Sequence, residues 1–180
     1  SMAFIPSEIA YGVEQTLSAG YVDNYIGYWG TWYQGIAKTN KAIDCLRKFG
    51  QMSDEDKARL EAEIKFVRAS LYFDLMKRYK EIIIYDENLD AYTKDKAYST
   101  EEEGWDFVYN DLKFAADNLP ARESANGRIN KGMAWAFMTR AMLYAERWEV
   151  VKAAAEEVEK LGYDLEEKYA DSYSIAIGSG

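Results

Sequence analysis

The sequence predicts an all-α fold of antiparallel helix pairs, and three observations predict it. Apolar residues recur at spacings of three and four, as in Leu60, Ile64, Val67, Leu71 and Leu75, which marks one face of a helix. Only two prolines, Pro6 and Pro120, occur in 180 residues, so long segments are free to be helical. Helix-start and helix-stop residues then cut the periodic stretches into pieces joined by short connections, the pattern of helices that fold back on their neighbours.

The pieces follow in order. Pro6, Ser7 and Glu8 can open a short helix with Ile9, Val13 and Leu17 on one face, weakened by Gly12. Residues 20–28, rich in tyrosine and amide groups between Gly20 and Gly27, read as a surface loop holding some buried tyrosines or as a ligand-contact loop. From Trp29 the period is clear through Tyr33, Ile36, Asn40, Ile43 and Leu46. Asn40 interrupts an apolar row, and a buried amide must find partners, so it is expected to tie this helix to a neighbour's backbone. Cys45, the single cysteine, reads as a buried inert thiol and excludes an intrachain disulfide.

Gly50 ends that helix, and Ser53 with Asp54, Glu55 and Asp56 opens the next, a side-chain cap followed by acids at the positive helix end. This central helix runs to about Tyr79, with Phe66 and Phe73 opening a second apolar seam and Glu63 and Arg68 read as a partly buried pair. The β-branched run at 82–84 predicts an extended segment, leading into a long polar connection to residue 99. Thr100 and Glu103 have capping-box spacing, and Trp105, Val108, Leu112, Ala115 and Leu119 line the third helix up to Pro120. Asn126-Gly127 signals a turn. Asn130 caps a fourth helix carrying Met133, Phe137 and Ala141, with Ala134, Met138 and Leu143 extending its apolar surface. After a tight junction at Arg147-Trp148, Val151, Ala154, Val158 and Leu161 make a fifth helix that Gly162 ends. Leu165, Tyr169 and Tyr173 belong to an irregular apolar tail.

Residues 131–162 form a helix–short turn–helix unit close in length to the ~34-residue tetratricopeptide repeat, with alanines where helices cross. The expected organisation is an irregular or short-helix segment over 1–28, a tetratricopeptide-like helical-repeat domain over 29–173 with one long loop, and a loose tail over 174–180.

Composition excludes several functions. The net charge of −9 and the absence of any long basic run argue against nucleic acid. With no histidine, no imidazole base or histidine-ligated metal site is available. Glu61 and Glu63 stand two apart on different sides of one helix, Glu101, Glu102 and Glu103 form a capping turn, and Glu156, Glu157 and Glu159 form a charged outer face. None makes the convergent acid pair that a glycosidase needs. Phosphate-loop, calcium-loop and nucleophile-elbow motifs are missing as well. The sequence thus predicts no enzyme, no metal and no cofactor. Fifteen tyrosines and five tryptophans exceed the needs of a small helical core and suit sugar stacking or partner docking.

Taken together, several stretches resemble the SusD/RagB family of outer-membrane glycan-binding lipoproteins. They are Trp29…Tyr33…Ile36…Asn40…Ile43, then Glu61-Ala62-Glu63…Phe66-Val67-Arg68-Ala69…Tyr72-Phe73…Leu75…Arg78-Tyr79, then Trp105…Asp111-Leu112…Leu119-Pro120 and Gly127–Ala134. Arg140–Tyr144, Trp148 and Gly162-Tyr163 complete the series. Lys80 and Ile84 depart from the glycine and proline usual in the family after the central helix, and the lipidated cysteine has no counterpart. The resemblance implies the helical N-terminal portion of a longer, lipid-anchored protein at the cell surface. It also implies a helical face that packs on a SusC-like TonB-dependent transporter, and aromatic contacts to a polysaccharide or oligosaccharide. Tyr21, Asn24, Tyr25 and Tyr28 are the candidate ligand contacts, and Asn40, Glu63 and Arg68 the candidate structural polar residues. The competing readings are a helical-repeat protein–protein adaptor without sugar affinity and, more remotely, a carboxylate hydrolase.

Overall fold

The computed structural model of the protein describes residues 19–88, 95–121 and 127–163, with side chains from residue 29 onward. Its helices are α1 (Ala19–Phe49), α2 (Asp54–Met76), α3 (Glu101–Asn118), α4 (Lys131–Tyr144) and α5 (Trp148–Lys160). Each packs on the next in chain order, α1 on α2, α2 on α3, α3 on α4 and α4 on α5. The short connections after α1 and α4 make antiparallel hairpins of the flanking helices, and stacking hairpins on one another is the architecture of tetratricopeptide-like repeats. No strand occurs among the described residues, and none of the described helices is long and apolar enough to cross a membrane.

Local chemistry sets the helix ends. Ser53 accepts from the Asp56 N–H at the start of α2. Thr100 and Glu103 form a reciprocal capping box on α3, and Asn130 accepts from the Met133 N–H on α4. Each cap satisfies a donor that the first helical turn leaves without a partner. Gly162 takes φ +78 just beyond α5, where a left-handed residue closes a helix at little cost only when it lacks Cβ.

Ala69, Tyr72, Phe73 and Met76 of α2 meet Trp105, Val108 and Leu112 of α3 and Met138, Ala141 and Met142 of α4 in the main core. Small residues, Ala62, Ala115, Ala116 and Ala134, fill a second cluster where the helices cross closely. Phe73 sits at the centre of the aromatic packing, with its ring 5.2 Å from Phe137 and 5.3 Å from Tyr144.

Several expectations are corrected. The stretch 20–28 continues α1 rather than forming a loop. Once a helix is nucleated, each added residue gains a hydrogen bond for little further order, and that outweighs the cost of Gly20 and Gly27. The buried face of α2 is rotated from the row Leu60, Ile64, Val67, Leu71 and Leu75, of which Leu75 alone is buried. Its centre is Ala69, Tyr72 and Phe73, while Val67 is 42% exposed. Glu61 and Arg68 lie on the buried side of α2 too, so apolar periodicity alone misplaced the face. Cys45 is exposed: it lies two residues past buried Ile43, about 200° around the helix. Met133 and Leu143, expected in the apolar surface of α4, are exposed as well. The helix expected around Ile9, Val13 and Leu17, and the tail with Leu165, Tyr169 and Tyr173, lie outside the described residues.

Candidate functional site

Trp29 and Tyr33 are one turn apart on α1, so their rings share a face, with centroids 4.8 Å apart. Tyr79, just past α2, meets Trp29 edge-on at 4.8 Å and 86°. Opposite them runs the non-helical segment 82–87. Tyr85 presents its ring edge-on to Tyr33, with centroids 6.0 Å apart. Between α1 and this segment lies a groove of about 390 Å³, lined by Trp29, Gly30, Tyr33, Gln34, Ala37, Ile83 and Tyr85. None of these residues is charged. Gly30 faces open space: a Cβ built on it would meet nothing within 4 Å.

Hydroxyl and amide side chains hold segment 82–87 in place. The Tyr33 hydroxyl donates to the Ile83 carbonyl at 2.8 Å and accepts the Ile83 N–H at 2.8 Å. Burial pushes the Tyr33 hydroxyl pKa well above the ordinary phenol range, so it keeps the proton it donates. Tyr72, fully buried on α2, treats Tyr85 in the same way, donating to its carbonyl at 2.9 Å and accepting its N–H at 2.7 Å. Asn40 Nδ2 donates to the same Tyr85 carbonyl at 2.9 Å. On the other side, Lys96 Nζ donates to the Ile84 carbonyl at 2.6 Å.

A chain of charges, buried at Arg68, Asp111 and Glu61 and partly exposed at Glu87 and Arg47, ties the end of this segment to α1, α2 and α3. Arg68, 2% exposed, grips Asp111 of α3 through Nε and Nη2. Its Nη1 donates to Asn40 Oδ1 at 2.6 Å and to Glu87 Oε2 at 2.8 Å. Arg47 continues the chain, binding Glu87 Oε1 at 2.8 Å and Glu61 Oε1 at 2.6 Å. Burial alone would push the Glu87 carboxyl up, but its bonds to Arg68 and the charges of Arg68 and Arg47 outweigh that and bring it to about 2. For Asp111, burial wins and pushes its pKa up despite Arg68.

Glu63 does not pair with Arg68. It binds Arg128, with Arg59 one turn before it at 3.7 Å, because Glu63 and Arg68 are five residues apart and face different sides of α2. The candidate contacts Tyr21, Asn24, Tyr25 and Tyr28 fall in the opening turns of α1, and their side chains lie outside the described residues. Sequence reasoning missed the groove itself. Its signal was an aromatic pair at Trp29 and Tyr33 flanked by two small residues, Gly30 and Ala37, one heptad apart. Among the described residues no group of His, Cys, Asp or Glu side chains is arranged to hold a metal.

The groove can accept a flat ligand with one apolar face. Aromatic rings supply the stacking surface and the Gln34 amide a polar contact, the usual composition of a small-molecule site. A second depression of about 540 Å³ lies between Lys80, the start of α3 and the α4–α5 turn. It is a mixed-charge surface in which Arg147 is already bound to Asp106 at 2.6 Å.

Residues 8–143 match a family model, SusD-like, described as starch-binding and associating with the outer membrane. A SusD-like protein of Bacteroides ovatus is 25% identical over 166 residues, 84% of this chain and 30% of that protein. The crystal structure of a SusD-like protein from Bacteroides fragilis is 35% identical with a TM-score of 0.69, over 77% of this chain and 27% of that one. A structure described as a laminarin binding SusD-like protein shares the fold at 24% identity and a TM-score of 0.72, over 83% of this chain and 34% of that one. The chain thus spans about a third of the length of these relatives. It belongs to the SusD-like family, and its described helices form part of that family's all-α body.

Proposed function

We propose that the protein is a non-catalytic glycan-binding component of an outer-membrane nutrient-uptake complex, and that the groove along Trp29, Tyr33 and Tyr85 receives the glycan. One observation carries the reading: three aromatic rings border an uncharged groove whose floor is kept open by Gly30. A glycine in an exposed helix interior costs about 1 kcal/mol relative to alanine, and no neighbour crowds this one. A methyl group would fit there with space to spare, whereas a large side chain would fill the groove. The lack of charge in the lining favours a neutral polysaccharide or oligosaccharide, and the net charge of −9 disfavours polyanions. Tyr25 stands four residues before Trp29 on the same helix, and Tyr21, Asn24 and Tyr28 share its opening turns, so a chain of sugars can extend toward them.

The family description supports placement at the outer membrane. Lipid anchoring at the cell surface, and docking of a helical face on a SusC-like TonB-dependent transporter, belong to the same proposal. One SusD-like relative is described as laminarin binding, which makes laminarin oligosaccharides the first probe. Calorimetric titration of the chain with these and with other neutral and anionic oligosaccharides tests the reading. Binding of a neutral glycan that Trp29→Ala weakens at least tenfold supports it. Binding untouched by Trp29→Ala and Tyr85→Ala rejects the groove. Co-purification with the transporter tests the docking.

A further inference from the structure

We infer that residues 83–87 are a strap that forms one wall of the groove, and that Tyr72 and Glu87, neither of which lines the groove, set its position and so control glycan affinity. The inference rests on the reading of the groove as the glycan site and deepens it. Residues of α1 and α2 anchor the strap at every second residue, Ile83 by Tyr33, Tyr85 by Tyr72 and Asn40, and Glu87 by Arg47 and Arg68, while Lys96 holds the intervening Ile84 carbonyl. Period-two anchoring is how a strand is held in a sheet, where alternate residues exchange both N–H and C=O with a neighbour. Here a single tyrosine oxygen performs both exchanges at Ile83 and again at Tyr85. Side chains of α1 and α2 therefore stand in for a neighbouring strand.

The consequence for binding follows from which side chains the strap carries. Ile83 and Tyr85 are the groove residues that α1 does not supply. A binding wall held in place before the ligand arrives avoids an ordering cost on binding, and loosening by ~1 Å is enough to spoil a built site. Tyr72 is fully buried, and its ring packs on Phe107 with centroids 4.9 Å apart. Tyr72→Phe keeps that packing and removes the hydroxyl that holds Tyr85. Glu87→Gln removes the charge that draws the strap end to the two arginines.

The test uses the full chain, amide hydrogen exchange and titration with laminarin oligosaccharides. Tyr72→Phe is expected to speed exchange of the Tyr85 amide at least tenfold. The Ile83 amide, held by Tyr33, and the amides of α2 should keep their wild-type protection. Dissociation constants should rise about tenfold in Tyr72→Phe and in Glu87→Gln, at temperatures where both variants are fully folded. Met138→Ala, a core change in α4 away from the groove, should lower the unfolding temperature and leave affinity unchanged, which separates positioning from general stability. Unchanged exchange at Tyr85 in Tyr72→Phe overturns the strap whether or not any glycan binds. Faster exchange with wild-type affinity overturns the positioning role alone. Absence of glycan binding by the wild-type chain overturns the glycan reading and the positioning role with it, while the exchange result still decides the strap.

Discussion

Arg68 and Asp111, 43 residues apart in sequence, meet in a two-pronged pair: Nε to Oδ2 at 2.7 Å and Nη2 to Oδ1 at 2.8 Å. The pair joins α2 to α3 below the surface, and the remaining guanidinium nitrogen reaches Asn40 on α1 and Glu87 on the strap. One side chain therefore touches every element that frames the groove. Burying charges is costly, and their attraction offsets that cost only when geometry and hydrogen bonding are complete. Here every nitrogen of Arg68 has an acceptor.

Removing Asp111 should expose that balance. Asp111→Ala leaves a nearly inaccessible guanidinium with fewer acceptors, and loss of one partner of a buried pair costs about 3 kcal/mol or more. Urea unfolding is the check, and a midpoint lowered by roughly 1–2 M is the expected result. A midpoint within error of wild type would mean that water reaches Arg68 in solution.

The carboxylate of Glu87 gives stability a pH dependence with a definite sign. Its pKa is about 2 in the folded chain against an ordinary 4.5, so the unfolded chain binds more protons between those values. The contribution is present in full above pH 4.5 and is lost as pH falls toward 2. Glu61, which Arg47 also holds below its usual range against the effect of burial, acts in the same direction. After discounting for solvent screening, Glu87 accounts for about 1–2 kcal/mol. Asp111, whose pKa burial raises, acts in the opposite direction, so the Glu87 contribution is read as the difference between wild type and Glu87→Gln in unfolding measured from pH 6 to pH 2, a difference that should shrink as pH falls.

Glu146 adopts φ +56 and is the one non-glycine residue with positive φ among those described. It follows α4, where the Glu146 N–H bonds Leu143 O at 3.2 Å and the Arg147 N–H bonds Met142 O at 3.0 Å, a left-handed helix end that favours glycine. Glu146→Gly should stabilise the chain by about 1 kcal/mol and raise the melting temperature by roughly 2–4 °C. Calorimetry reads this directly.

Much of this architecture is legible in the sequence because it is local. Ser53, Thr100 with Glu103, and Asn130 mark helix starts through bonds that span three residues, and Gly50 and Gly162 mark ends for equally local reasons. What escaped was non-local or two-sided. Glu87 and Asp111 are ordinary acids until Arg68 is seen between them. Val67 reads as core by spacing, yet the buried side of α2 is set by Arg68, Tyr72 and Phe73 and by the helices on either side. The run at 82–84 predicts extended chain, but nothing in it announces that Tyr33 and Tyr72 would replace a neighbouring strand. The resemblance of Trp29 through Tyr79 and of the later stretches to SusD-like proteins identified the family, whereas the groove needed coordinates, since Gly30 looks like a helix weakness until the space above it is seen.

Gly30 provides the sharpest test of the groove as a glycan site. Gly30→Ala adds a methyl group in open space and should stabilise α1 by up to about 1 kcal/mol. Gly30→Leu should also fold but fill the floor between Trp29, Tyr33 and Tyr85. Calorimetric titration of both variants and the wild-type chain with the neutral oligosaccharide that binds best is the decisive measurement. The account predicts near-wild-type affinity for Gly30→Ala and a loss of at least tenfold for Gly30→Leu. Equal affinity in all three chains, or binding by none of them, would contradict it.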